Sequence, residues 1–372
     1  MSTDHRLIKS ALAAGLIILQ TAGTFSAAAQ TSQRITAGKA SEYALIYTLP
    51  KTVIDITLEA ELTEKKPGEF YNYAKRYLGA EGAITAPSTS ASLKSAVIST
   101  HGEADPENRW TAQFKSGSTP YMLLSSSGLP LSINTEETGE NSNPVLPVST
   151  KSTPTPLETE AARHAVTQDM ARSSSVAKRA ELAAQRIFEI RETRSDILSG
   201  QAENMPADGK AMQMVLDNLD AQEAALTAMF LGTTSTSTVV KTVSIVPDST
   251  DITNRPIARI SAVEGIIDPD NLAGAPVYLS LNIIEEGQLP VNEKGETKRF
   301  PKGGVAYNVP GTADAIIRYN GSTVASKQIN LAQLGITFGL DPALFTDRKA
   351  PSKLIYEPST GAIKLLGPAE TE

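Results

Sequence analysis

The chain has 372 residues, no cysteine and three histidines. Those counts exclude disulfide scaffolds, thiol chemistry and cysteine-built zinc sites, and leave few nitrogen ligands for any metal. A net charge of −7 argues against nucleic acid as a partner, while 40% hydrophobic and 20% charged residues fit a globular chain of two or three domains.

Residues 1–30 read as a secretory signal peptide. Arg6 and Lys9 make a positive start, Ala11 to Leu19 is apolar but too short to span a bilayer, and Ala27 and Ala29 occupy the small positions of a cleavage site. No cysteine follows, which excludes an N-terminal lipoprotein. The expected location is therefore periplasmic, secreted or surface-associated, with no membrane span once the signal is removed. An exported chain without disulfides must be held by real cores.

Residues 31–134 read as a β-rich module with one short helix. Val53, Ile54, Ile56 and Leu58 lie in a strand between Tyr43 and Glu61. After the Lys66-Pro67-Gly68 turn, Phe70, Tyr73, Ala74 and Tyr77 share one helical face, expected to pack on the module's own sheet, and Gly79 ends that helix. Strands are predicted at 93–100, 110–114, 121–124 and 129–133. Turns at Asp105-Pro106-Glu107-Asn108, Ser116-Gly117-Ser118 and Ser126-Ser127-Gly128 separate them. Residues 135–156, punctuated by four prolines, read as a Pro/Ser/Thr-rich linker.

Residues 157–232 read as a long antiparallel helical hairpin. Val176, Ala180, Ala183, Ile187, Ile190 and Ile197 mark the inner face of a first helix ended by Gly200. Asp208 is a candidate cap for a second, whose face carries Met212, Leu216, Leu219, Leu226 and Phe230 and which ends at Gly232. Met212, Met214 and Met229 read as part of a packed interface. For Arg191 and Arg194, facing Asp217, Asp220 and Glu223, a solvated face with pairs inside each helix is favoured over a network between helices.

Residues 233–372 read as a second β-rich module, with strands at 239–246, 257–261, 277–284, 305–309, 314–319, 322–329, 336–340, 354–356 and 362–366. Asn320-Gly321 is a strong hairpin signal. The fold class is α+β: two mostly antiparallel β-rich modules flanking the helical hairpin. An internal echo joins the modules. Tyr47-Thr-Leu-Pro50-Lys-Thr52-Val-Ile-Asp-Ile56 and Tyr307-Asn-Val-Pro310-Gly-Thr312-Ala-Asp-Ala-Ile316 follow one pattern, and Ser127-Gly128 and Thr360-Gly361 follow at later turns. Each copy reads as a strand entered through a proline.

Longer strings carry a family resemblance. Tyr47-Thr-Leu-Pro50-Lys-Thr52, Lys66-Pro67-Gly68-Glu-Phe70-Tyr71-Asn-Tyr73-Ala-Lys-Arg76-Tyr77-Leu78-Gly79, Ile187-Phe-Glu-Ile-Arg191-Glu-Thr-Arg194, Gly200-Gln-Ala-Glu-Asn-Met-Pro206-Ala-Asp208-Gly209 and Thr360-Gly361-Ala-Ile363 resemble the uncharacterised domain-of-unknown-function family numbered 4831. The likeness spans nearly all of the chain after residue 30, except 135–156. It implies an envelope protein of Bacteroidetes and implies no activity.

The chemistry-bearing residues stay below the level of a motif. Ser175-Val-Ala-Lys178 has the Ser-x-x-Lys spacing without its companion motifs, and a helix start is the simpler reading. His101 reads as a surface-turn histidine near acidic residues, and His164 as lying at a polar helix start. Asp268-Pro-Asp270-Asn271 lacks calcium-loop spacing, Lys302-Gly303-Gly304 lacks the rest of a phosphate loop, and Asp248-Ser249-Thr250 reads as a polar turn. The sequence assigns no catalytic, cofactor-binding or metal-ligating residue, calls for no cofactor, and leans against an enzyme. It points to an exported envelope scaffold or partner-binding protein with an envelope protein as partner. A carbohydrate-binding or carbohydrate-cleaving module, using Trp110 or tyrosines opposite close carboxylates, is the alternative.

Overall fold

In the computed structural model, the described residues are 33–36, 44–114, 120–139, 145–152, 154–204, 209–347 and 350–369. The signal peptide expected at 1–30, the turn expected at 116–118 and the cap expected at Asp208 lie outside them. Among the described residues, thirteen strands form three sheets whose strand pairings are antiparallel.

The first sheet is built on β2 (Ala44–Lys66), flanked by β3 (Ser88–Gln113) and β6 (Thr233–Ile245). The second has the order β11-β10-β9-β7-β8, from β7 (Ile252–Ser261), β8 (Gly265–Ile267), β9 (Ala275–Glu285), β10 (Val305–Tyr319) and β11 (Ser322–Leu340). Alternation puts Ile54, Ile56, Leu58 and Ala60 of β2 on one face. They share a core with Val277, Leu279, Leu281, Ala313, Ala315 and Ile317 of the second sheet, so the two sheets pack face to face.

The third sheet has the order β1-β4-β5-β12-β13, from β1 (Gln33–Thr36), β4 (Tyr121–Leu124), β5 (Pro130–Ile133), β12 (Ser352–Glu357) and β13 (Ala362–Pro368). Its side chains build a second core with Leu45, Tyr47 and Leu49 of β2, Ala112 of β3, and Val305 and Ala306 of β10. The strands β2 and β10 therefore each run through both cores.

The passage from one core to the other occurs at the proline of the sequence echo. In the β2–β3 ladder, Thr48 pairs with Arg109 and Pro50 with Ala104, so four residues of β3, 105–108, bulge out. In the β10–β11 ladder, Val309 pairs with Ile336 and Gly311 with Leu331, so residues 332–335 bulge in the same way. A proline lacks the N–H that a ladder would use, and extra residues on one strand bend and twist the pair. Each long hairpin is followed by a short one, β4–β5 and β12–β13, whose turns carry Gly128 and Gly361 at positive φ. The echo thus marks two stretches of matching strand order and matching bulge.

Two expectations change here. The turn predicted at 105–108 is the bulge of one continuous strand, and the strands predicted apart at 305–309 and 314–319, and at 322–329 and 336–340, are likewise single strands. The β-rich regions also share sheets: β5 pairs with β12, and β2 pairs with β6.

The helices are α1 (Ala74–Leu78), α2 (Glu160–Ala165), α3 (Gln168–Arg172), α4 (Val176–Ser199) and α5 (Lys210–Leu231). They share a third core, which includes Phe70, Ala183, Ile187, Leu226 and Phe230. The aromatic face at 70–77 packs here, on helices rather than on its own sheet: the rings of Phe70 and Phe230 lie 5.4 Å apart. Backbone bonds from Phe70 N–H to Met229 O (2.7 Å) and from Ile84 N–H to Leu231 O (2.9 Å) tie this layer to the far end of β2, β3 and β6. Part of the predicted linker is ordered against the edge of β6, where Thr150 pairs with Thr238.

Candidate functional site

The polar clusters come first, because they decide between chemistry and contact. His101 lies on β3 rather than in a turn. Its Nδ1 is 2.5 Å from Asp55 Oδ2, and Ser244 Oγ donates to Asp55 Oδ1 at 2.6 Å. These are the three residue types of a catalytic triad, but in the wrong order. A nucleophilic serine must donate to the histidine that takes its proton; here Ser244 and His101 meet only through the carboxylate. The other ring nitrogen, Nε2, stands 3.9 Å from Glu103, which also pairs with Lys51 at 3.5 Å.

Other flagged residues have structural partners. Ser175 Oγ caps α4 by accepting from Lys178 N–H at 3.4 Å, while Lys178 Nζ is paired with Glu181 at 2.9 Å. Neither side chain activates the other. His164 is exposed on α2, 3.9 Å from Glu160. Asp268 pairs with Lys241 at 2.6 Å, and Gly303 O accepts from Gln113 N–H at 3.0 Å. Residues 248–250 are an exposed turn between β6 and β7. Among the described residues, no group of three or more His, Asp or Glu could hold a metal ion, and no helix is long and apolar enough to cross a membrane.

Trp110 is half-buried at the rim of the second core. Its ring stacks on Phe300 with centroids 5.3 Å apart and planes 18° apart, and its Nε1 donates to Asn108 Oδ1 at 2.5 Å. One face and the polar edge of the indole are thus already occupied. A groove of about 330 Å³ beside the first bulge is lined by Ile46, Tyr47, Thr48, Ala104, Pro106, Arg109, Leu124 and Gly128, with no carboxylate among them.

The surface of α4 and α5 is different. Arg191 Nε bonds Glu223 Oε1 at 2.6 Å, and Arg194 bonds both Asp220 and Glu223 Oε2, the latter at 2.7 Å. This corrects the expectation of pairs confined to each helix: the arginines of α4 reach across to α5. Arg191 and Arg194 on α4 thus share the carboxylate of Glu223 on α5. Leu198 near the end of α4 is 68% exposed, Met214 and Val215 early in α5 are 72% and 37% exposed, and Phe188 earlier in α4 is 50% exposed. Met214 therefore departs from the packed interface expected of it. Met229, half-buried, contributes to the helical core.

A pair of buried tyrosines carries no local sequence signal. Tyr47 Oη and Tyr356 Oη donate to the same carbonyl, Ala306 O, at 3.0 and 3.1 Å. Burial pushes both hydroxyls above the ordinary tyrosine range. Hydrogen bonds partly offset this for Tyr47, while the neighbouring Tyr47 raises Tyr356 further. Only the tyrosine in the echo was visible beforehand.

A family model described as a domain of unknown function, DUF4831, matches residues 43–364. No curated protein and no solved structure matches the chain.

Proposed function

The chain belongs to the DUF4831 family, and on that premise we propose that it is an exported envelope scaffold that binds a protein partner and performs no catalysis. In this reading α4 and α5 act as a long antiparallel hairpin presented by the β-rich body. Its outer end is the contact surface.

The observation that carries the reading is the exposure of large apolar side chains on these two helices, Leu198 near the end of α4 and Met214 and Val215 early in α5. Apolar side chains left in water on a helix surface are positions that a partner can cover. The geometry of Asp55, His101 and Ser244 supports the same conclusion, since it offers a hydrogen-bonded surface cluster rather than an activated nucleophile. Phe300 covers one face of the Trp110 indole, which weighs against Trp110 as a sugar platform.

The test is a photo-crosslinking residue placed at 198, at 214 and, as a control, at the singly exposed Leu272, in cells that express the whole chain. Discrete protein adducts at 198 and 214 but not at 272 are expected, the adduct at 198 being lost with Met214→Asp and the adduct at 214 with Leu198→Asp, at unchanged thermal stability. Equal adducts at all three positions, or none at 198 and 214, would sink the proposal.

A further inference from the structure

The connection between β9 and β10, residues 286–304, is long for a link between neighbouring strands. It is attached unevenly. At one end Gly287 N–H donates to Leu334 O at 2.9 Å, and at the other Gln113 N–H donates to Gly303 O at 3.0 Å. Between those points the polar groups bond within the segment. Asn292 N–H donates to Glu296 O (2.8 Å) and Lys298 N–H to Pro290 O (2.9 Å). Asn292 Oδ1 accepts from the N–H groups of Lys294 and Glu296, both at 2.9 Å. Among the described residues, no hydrogen bond or ion pair joins 288–302 to a residue outside the 286–304 connection.

Its aromatic contact with the body is the ring of Phe300. Phe300 stacks on Trp110 and meets Phe338 edge-on at 6.1 Å. The seat is shaped for that ring. A Cβ added to Gly339 would have Phe300 ring atoms as its three nearest neighbours, the first at 2.8 Å. Gly339 is not among the positive-φ residues, so room for the ring, not backbone freedom, is what calls for glycine there. Phe300 is nevertheless 39% exposed, a side chain laid into a seat at the surface rather than locked in the core.

We propose that residues 286–304 are a strap closed by the ring of Phe300, and that opening it uncovers a seat, formed by Trp110, Phe338 and Gly339, for one aromatic side chain of a binding partner. The partner chemistry follows from the present occupant. An incoming aromatic ring replaces the stacking and the apolar burial that Phe300 gives up, so exchange costs little beyond ordering the partner. The internally bonded turn at 290–298 lets the strap move as a unit.

Trp110 is the only tryptophan in the chain, which makes its fluorescence a direct readout. In the full chain, Phe300→Ala should shift Trp110 emission to the red and raise its quenching by acrylamide. Tryptic cleavage after Lys298, Arg299 and Lys302 should accelerate on the order of tenfold, as expected for loss of a partly covered ring, with far-ultraviolet circular dichroism unchanged. A blocked peptide Lys-Arg-Phe-Pro, the sequence of 298–301, should restore Trp110 emission in that variant, and Lys-Arg-Ala-Pro should not. Phe300→Leu, which keeps apolar bulk, should cleave at an intermediate rate. Unchanged cleavage in Phe300→Ala, equal effects of the two peptides, or global unfolding of both variants would each overturn the proposal, the last by placing Phe300 in the core rather than at a latch.

Discussion

Two hydroxyls on one carbonyl set the strongest expectation at the scale of single residues. Tyr47 comes from β2 and Tyr356 from β12, and Ala306 O of β10 accepts from both. Tyr47→Phe or Tyr356→Phe alone removes one neutral hydrogen bond and should cost about 1 kcal/mol. The double variant strips the carbonyl of both donors and should cost about 2–4 kcal/mol, more than the two singles together. Urea titration of the four proteins measures this, and strict additivity would show that the carbonyl is satisfied elsewhere. The same pair predicts a pH dependence. Both hydroxyls titrate above the ordinary tyrosine value of about 10 in the folded chain, so above pH 10 the unfolded chain releases protons that the folded chain keeps. The stabilisation is full below that pH and is lost as pH rises through the folded values, by about 1.4 kcal/mol per pH unit per tyrosine. The double phenylalanine variant should lack that part of the alkaline slope; an identical slope in both proteins would contradict the assignment.

At the scale of elements, the ion network on α4 and α5 gives the next prediction. Glu223 is the hub, with Arg191 on one oxygen and Arg194 on the other. A double-mutant cycle on Arg194 and Glu223 should return a coupling of about 0.5–1 kcal/mol that shrinks with added salt, because the pairs are only partly covered. Zero coupling at low salt would return these residues to the solvated-face reading. Sequence periodicity could find both helices and their inner faces, since Ile187, Ile190, Leu226 and Phe230 recur at helical spacing and are buried. It could not decide whether Arg191 pairs with Glu189 or Glu223, because that depends on the register between helices. The strands show the same division. Alternation located β4, β5, β12 and β13, and Asn320-Gly321 located the β10–β11 turn, where both residues have positive φ. What local signals misread were the bulges at 105–108 and 332–335: polar or glycine-containing runs look like chain reversals, but long-range pairing carries the strand through them. The candidate site was less legible still. Asp55, Ser244 and Phe300 carry no motif, and they acquire partners only through strands and segments distant in sequence.

For the whole molecule, the shared sheets mean that neither β-rich region owns a complete core. Within residues 31–134, β5 loses β12, β2 loses β6, and Tyr47 loses the Ala306 carbonyl when the remainder is removed. Thr52 adds to the dependence. Its backbone exchanges bonds with the Gln333 side chain at 3.1 and 2.8 Å, and its Oγ1 donates to Ser359 O at 2.8 Å. Asn134, on the αL side of the Ramachandran plot with φ 54°, donates to Phe345 O and Ser352 O at 3.1 and 3.0 Å. A fragment of 31–134 would leave these buried polar groups unpaired and expose one face of each core, and a small domain cannot absorb losses of that size. The fragment should therefore give a broad, non-cooperative melt and no near-ultraviolet signal from Trp110. Refolding it together with a fragment of 145–369 should restore both signals, since the missing strands and acceptors return. A sharp melt and native-like Trp110 signal from 31–134 alone would show that its own strands suffice, and that the contacts with β6, β10 and β12 add to a module already folded.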